Sequence, residues 1–242
     1  MKLTALAFAL ALGISSLCLA ADDPFQGWTP EQLKTKILQL QKQVDELKST
    51  GNAAMGSAAP SSPLAAAKAA SADLKVDDFE GEMASLGGQW WTGKDDKMGS
   101  TIAPDPFVHE KGGADGKGYC GHIHGKLGAN KEPWAWAAMS LSLPDGDLRG
   151  YKAVEFWAKG DGKVHNVKLD KKSVTDFASF SATFTAPAKW TKVTVPFSDF
   201  KQPDWGNKVD ATFGDVEKLS FYPTTFESSY DFSIDNIKFI KQ

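Results

Sequence analysis

The sequence predicts an antiparallel all-β sandwich or barrel over residues 74–242, and three observations carry that prediction. Apolar side chains recur at every second position in one segment after another. Gly, Pro, Asp and Asn cluster between those segments. No run of comparable strength in this region has the period of an α-helix. Many short strands in one stretch must bury one face each, so two packed sheets or a closed barrel are the architectures available.

The elements before the sandwich have other signatures. Lys2 followed by the apolar run Leu3 to Leu12 reads as a secretory signal over residues 1–20, too short to anchor in a bilayer. Cys18 and Ala20 are the small residues at −3 and −1 of a cleavage after Ala20. Leu17 stands where a lipidation signal wants a small residue. The expected location is therefore periplasmic or secreted. A helix follows over residues 29–49: Thr29 is a good N-cap and Pro30 fits the first helical position. Leu33, Ile37, Leu40, Val44 and Leu47 are spaced by fours and threes, a heptad seam that either makes a homo-oligomeric stalk or docks on its own domain. Residues 50–73 are rich in Ala, Ser, Gly and Pro and read as a linker.

Within residues 74–242 the strands are read in order. Leu74 to Glu80 is one. Met139, Leu141 and Leu143 alternate with serines. Val154, Phe156 and Ala158 alternate with Glu155, Trp157 and Lys159. Phe180, Ala182 and Phe184 form the next, then Val193, Val195 and Phe197, then Leu219 and Phe221. Phe232 to Phe239 is the last.

Composition excludes several classes of function. Lys and Arg number 27 against 30 Asp and Glu, a net charge of −3, so no basic excess exists to hold nucleic acid or an anionic membrane. Two cysteines cannot make a disulfide framework, and cleavage of the signal leaves Cys120 alone. No apolar run is long enough to be a transmembrane segment. There is no Gly-x-Ser-x-Gly elbow, no phosphate loop and no His-Glu-x-x-His.

Several segments in order resemble one family. Asp77-Asp78-Phe79-Glu80-Gly81 and Trp90-Trp91 open the region. Leu148 to Gly162, containing Gly150-Tyr151-Lys152-Ala153-Val154-Glu155-Phe156-Trp157, sits in its middle. Trp190-Thr191-Lys192-Val193-Thr194-Val195-Pro196-Phe197 follows, and Phe232 to Phe239 closes it. The arrangement resembles the galactose-binding-like jelly rolls of carbohydrate-binding module family 11 and, equally, the complex I intermediate-associated protein 30 domain. The resemblance implies a two-sheet jelly roll with one ligand-facing concave sheet.

A sugar ring has apolar C–H faces and a rim of hydroxyls. It needs flat aromatic platforms beside carboxylates and ammonium groups. On the outward phase of the strands, Trp157 and Tyr222 qualify as platforms, and Glu155, Lys159 and Asp170 as hydroxyl partners. The family's ligand face supports Trp157, Lys168 and Tyr222 by position. Trp134 and Trp136 share the outward phase, as do His122 and His124 on their own segment. Each of these aromatics has a competing reading as packing, and Trp90, Trp91 and Trp190 are expected to be buried.

Two metal readings arise. Glu80 and Asp235, with Asp78 nearby, lie in the first and last strands, where sandwiches of this broad type hold one structural Ca²⁺ through hard oxygen ligands. The alternative is an Asx turn at Asp235 and an exposed Glu80. His122 and His124 at i, i+2 face one way, but zinc needs further ligands and only His109, His165 and Cys120 remain. Hydrogen-bonded or solvated histidines are the expectation.

The function these readings support is an exported, non-catalytic carbohydrate-binding module for β-glucan-type polysaccharide on a self-associating helical stalk. One alternative is a periplasmic assembly or scaffold protein whose jelly roll binds an envelope polypeptide. A glycan-active hydrolase is the second alternative.

Overall fold

The computed structural model describes residues 72–132, 134–144 and 146–242. The signal segment, the heptad helix and nearly all of the linker lie outside the described residues. The strands are β1 (Leu74–Asp77), β2 (Trp90–Lys94), β3 (Thr101–Ala103), β4 (His109–Lys111), β5 (Tyr119–Lys126) and β6 (Ala137–Ser142). They continue with β7 (Tyr151–Gly160), β8 (Val164–Lys171), β9 (Phe180–Thr185), β10 (Thr191–Pro196), β11 (Val216–Pro223) and β12 (Ser229–Lys241).

They form two antiparallel sheets, as the alternation predicts. One has seven strands in the order β10-β7-β12-β5-β3, with β1 also pairing β12 and β4 also pairing β5. The other has five, in the order β2-β6-β11-β8-β9. The inward phase is the expected one: Val154, Phe156 and Ala158 of β7 and Leu219 and Phe221 of β11 are all fully buried. Rings from both sheets meet edge to face, Phe156 on Phe221 at 5.0 Å and on Phe184 at 5.1 Å between centroids. Among the described residues no helix is long and apolar enough to cross a membrane.

β12 carries a device that the alternation does not announce. Against β7, Asp235 faces Trp157 but Lys238 faces Glu155, so β12 has one residue too many there. Asn236 takes up the excess with φ of 49°. This bulge shifts the phase, so that Ile234 and Ile237 both point into the core.

One core residue makes the fold sensitive to acid. His165 is 1% exposed, with the Phe232 ring at 4.3 Å and the Phe184 ring at 5.8 Å. Its Nε2 lies 3.0 Å from Asp161 Oδ1, and its Nδ1 has no partner. Burial lowers its pKa below the ordinary histidine value of 6.5, outweighing the nearby Asp161 carboxylate. The folded chain thus keeps the ring neutral where the unfolded chain protonates it. Stability is complete above about pH 6.5 and falls as the pH drops from there toward the lowered folded value. The melting temperature is expected to fall between pH 7.5 and pH 5, and less steeply in His165→Phe. Parallel slopes for the two proteins would assign the acid sensitivity elsewhere.

Candidate functional site

The outer face of the five-stranded sheet gathers aromatic and hydroxyl-bearing side chains in register. One row across the strands reads Trp91, Ser140, Ser220, Lys168, Ser181. A parallel row carries Tyr222, Asn166 and Thr183, and another Ser142, Lys218 and Asp170. This follows from period two: each of these residues neighbours a buried one in its own strand.

The aromatic part of the face depends on a glycine. A Cβ at Gly93 would lie 2.9 Å from the Trp91 ring and 3.0 Å from the Trp136 ring. Two indoles therefore close over Gly93, and they remain 40% and 47% exposed. Trp134, 51% exposed, leans on Phe226 with ring centroids 6.0 Å apart. Tyr222 is half-buried and hydrogen-bonds the side chains of Ser181 and Asn166. Burial raises its pKa despite those bonds, so it stays a neutral phenol.

The charged part centres on Asp170, which is buried. Lys168 Nζ lies 3.0 Å from its Oδ1, and Lys218 Nζ lies 3.0 Å from its Oδ2 without the geometry of a hydrogen bond. Burial pushes the Asp170 carboxyl up, but Lys168, the Ser179 hydroxyl and Lys218 together hold it below its ordinary value. Lys218 also stands 5.8 Å from the Trp91 ring centroid. Ser140 Oγ and Ser220 Oγ, 2.9 Å apart, form the floor beneath these larger groups.

The sequence-predicted residues divide between the two faces of the sandwich. Tyr222, Lys168, Asp170 and Trp136 share this face, with Trp134 beside Trp136. Trp157, Glu155, Lys159, His122 and His124 do not, because β7 and β5 belong to the seven-stranded sheet. Trp157 and Tyr222 both point outward, as expected, but from opposite sheets, which corrects the single platform read from the sequence. Trp91 is a second correction. It is exposed because Trp90, its neighbour, takes the inward position at 7% exposure. Lys218 and Asn166 were missed. Each sits on the outward phase opposite a predicted residue, Lys218 across from Asp170 and Asn166 across from Tyr222.

On the seven-stranded face, His122 lies between two carboxylates, 2.5 Å from Glu110 and 3.0 Å from Asp231, and stacks on His124 at 5.3 Å. Lys159 stands 5.3 Å over Trp190, which is half-buried rather than buried. Cys120 is covered, and burial, with help from the Asp235 and Glu110 charges, pushes its thiol up to about 11, so it is inert near neutrality.

The carboxylates expected to hold calcium also tie down a loop. Asp235 Oδ2 accepts the Ala114 N–H at 2.7 Å and Glu80 Oε1 accepts the Tyr119 N–H at 2.8 Å, clasping the Gly112–Gly118 connection at both ends. Asp78 pairs with Lys75. Burial, together with the nearby charges of Glu80 and Asp78, raises the Asp235 carboxyl above its ordinary value. Among the described residues no three His, Cys, Asp or Glu side chains are grouped to hold a metal ion.

The fold is similar to those of several solved structures. The family 11 carbohydrate-binding module of the cellulosomal cellulase Lic26A-Cel5E of Clostridium thermocellum is 21% identical, covers 72% of this chain and 96% of its own, and has a TM-score of 0.55. The family 11 module from Clostridium thermocellum in complex with a β-1,3-1,4-mixed-linked tetrasaccharide is 21% identical, with 71% and 97% covered and a TM-score of 0.54. The family 30 module of the cellulosomal cellulase CEL9D-CEL44B of Clostridium thermocellum is 17% identical, with 70% and 98% covered and a TM-score of 0.50. Such likeness establishes the jelly-roll fold. No curated protein matches the chain. The family model of complex I intermediate-associated protein 30 matches residues 88–234, from just before β2 into β12. Covering more than half of the sequence and ten complete strands of the sandwich, that match shows that the chain belongs to the complex I intermediate-associated protein 30 family.

Proposed function

We propose that this chain is an exported, non-catalytic carbohydrate-binding protein whose five-stranded face holds a β-glucan-type polysaccharide. The observation that carries the reading is the pair of exposed indoles closed over Gly93 beside the row Ser140, Ser220, Lys168 and the Asp170 carboxylate. An indole plane covers the C–H face of a pyranose. The lysines donate to its hydroxyls, and the half-buried Asn166 carboxamide and Tyr222 hydroxyl can accept from them. The fold is that of modules named for carbohydrate binding, one of them holding a mixed-linked tetrasaccharide. Export through residues 1–20 and a self-associating stalk at residues 29–49 complete the reading.

Electrophoresis through gels containing mixed-linked β-glucan tests it. The wild type is expected to be retarded. Trp136→Ala is expected to weaken binding by about 2 kcal/mol, roughly 30-fold. Its melting temperature should barely move, since the side chain is half in solvent. Loss of retardation together with unfolding would make Trp136 structural. A wild type that no glycan retards would favour the second reading, a polypeptide partner. The family name, taken from an assembly intermediate, supports that alternative, and exposed tryptophans also anchor protein interfaces.

A further inference from the structure

The opposite face of the sandwich holds a cavity of about 510 Å³ over Trp157. That volume lies within the usual range for small-ligand sites, roughly 300–1,000 Å³. Trp157 contributes its aromatic surface, and Glu155, Lys192, Lys238 and Asn236 its polar one. The bulge in β12 creates this place. It interrupts pairing between β12 and β7 next to Trp157 and leaves Asn236 exposed there.

The polar groups are ready for hydroxyls. Glu155 is held as a carboxylate: burial pushes its pKa up, but Lys238 and Lys192, at 3.2 and 3.4 Å, bring it below its ordinary value. Thr194 Oγ1 donates to its other oxygen at 3.2 Å. Lys192 Nζ also stands 5.8 Å from the Trp157 ring centroid. The Asn236 carboxamide, both donor and acceptor, has no hydrogen-bond partner among the described residues. Lys75, Lys192 and Lys238 line the cavity against the carboxylates of Asp78 and Glu155, with Asp77 buried beneath, so charges of both signs are interspersed there. An aromatic surface beside a mixed set of donors and acceptors suits a polyhydroxylated ring.

We infer that the sandwich has two carbohydrate-binding sites back to back, the second formed by Trp157, Glu155, Lys192 and Asn236. This inference rests on the function proposed above and extends it: one domain joins two glycan strands. The sites belong to different sheets and face away from each other. A short oligosaccharide cannot reach both, so they fill independently.

Titration calorimetry of the full chain with a β-1,3-1,4-mixed-linked tetrasaccharide counts the sites per chain, a number that self-association does not alter. Two are expected in the wild type, one in Trp157→Ala, one in Trp136→Ala, and none in the double variant. Asn236→Gly, which removes the carboxamide and keeps the left-handed φ of 49° accessible, is a second probe that does not threaten the fold and should weaken only one of the two binding events. A wild type with one site, unchanged by Trp157→Ala and Asn236→Gly but lost in Trp136→Ala, overturns the second site and leaves the first reading standing. A wild type that binds no tetrasaccharide overturns both.

Discussion

Phe221→Ala is expected to lower the unfolding free energy by about 3–5 kcal/mol. The side chain is fully buried at the centre of β11. Its ring meets Phe156 from the opposite sheet at 5.0 Å, Phe184 at 6.0 Å and Trp90 at 6.2 Å. Truncation removes the transfer energy of the ring and leaves a cavity that three aromatic neighbours, each fixed in a strand, cannot fill. A domain stable by about 5–15 kcal/mol would lose a large part of its margin. Urea unfolding of the wild type, Phe221→Leu and Phe221→Ala measures this, with the leucine variant intermediate. A loss below about 1 kcal/mol for the alanine variant would mean that the two sheets close over the gap, contrary to tight packing.

Asp77→Ala is the second large effect, expected at about 3 kcal/mol or more. Asp77 is 1% exposed and satisfies three donors. The Trp90 Nε1–H donates to it at 2.7 Å, the Phe79 N–H at 3.2 Å and the Ser85 N–H at 3.3 Å. Each buried donor left without an acceptor costs about 1–3 kcal/mol. Phe79, fully buried with a left-handed φ of 58°, depends on the same turn. Burial raises the Asp77 carboxyl above the usual range even against these bonds. Both oxygens accept, Oδ1 from Phe79 and Ser85 and Oδ2 from Trp90, and asparagine keeps only one acceptor oxygen, so Asp77→Asn should lose less than Asp77→Ala but still more than about 1 kcal/mol. An asparagine variant as stable as the wild type in the same denaturant series would count against the hydrogen-bond account.

The inward residues of β6, β7, β9, β10 and β11 were legible in the sequence because alternation reports burial directly. What alternation does not report is which sheet a strand joins. Glu155-Phe156-Trp157 and Ser220-Phe221-Tyr222 carry the same local pattern, yet their outward residues lie on opposite sides of the molecule. Only long-range pairing, β7 with β10 and β12 and β11 with β6 and β8, separates them. Trp91 was open to local reasoning, since two consecutive strand residues cannot both point inward. The bulge at Asn236 marks the sequence only as a break in alternation, Ile234 and Ile237 both facing inward three residues apart, which period two alone reads as the end of the pattern. The closure of two indoles over Gly93 depends on β2 lying beside β6, strands separated by more than forty residues in the chain.

The seven-stranded sheet is organised around β12, the last of the described strands. β12 pairs with β7 along one side and with β5 and then β1 along the other. Without it, β7 and β10 form one fragment, β5 with β3 and β4 another, and β1 has no partner. No subset of strands that lacks β12 can therefore assemble the seven-stranded sheet, although the five strands of the other sheet all precede it. Residues 74–77 must wait for residues 237–239 before their pairing exists. Contacts this remote in sequence place folding among the slow, millisecond-to-second class. Until residue 241 is available the seven-stranded sheet stays in pieces, its strand edges open to proteases and to whatever machinery handles unfolded chains.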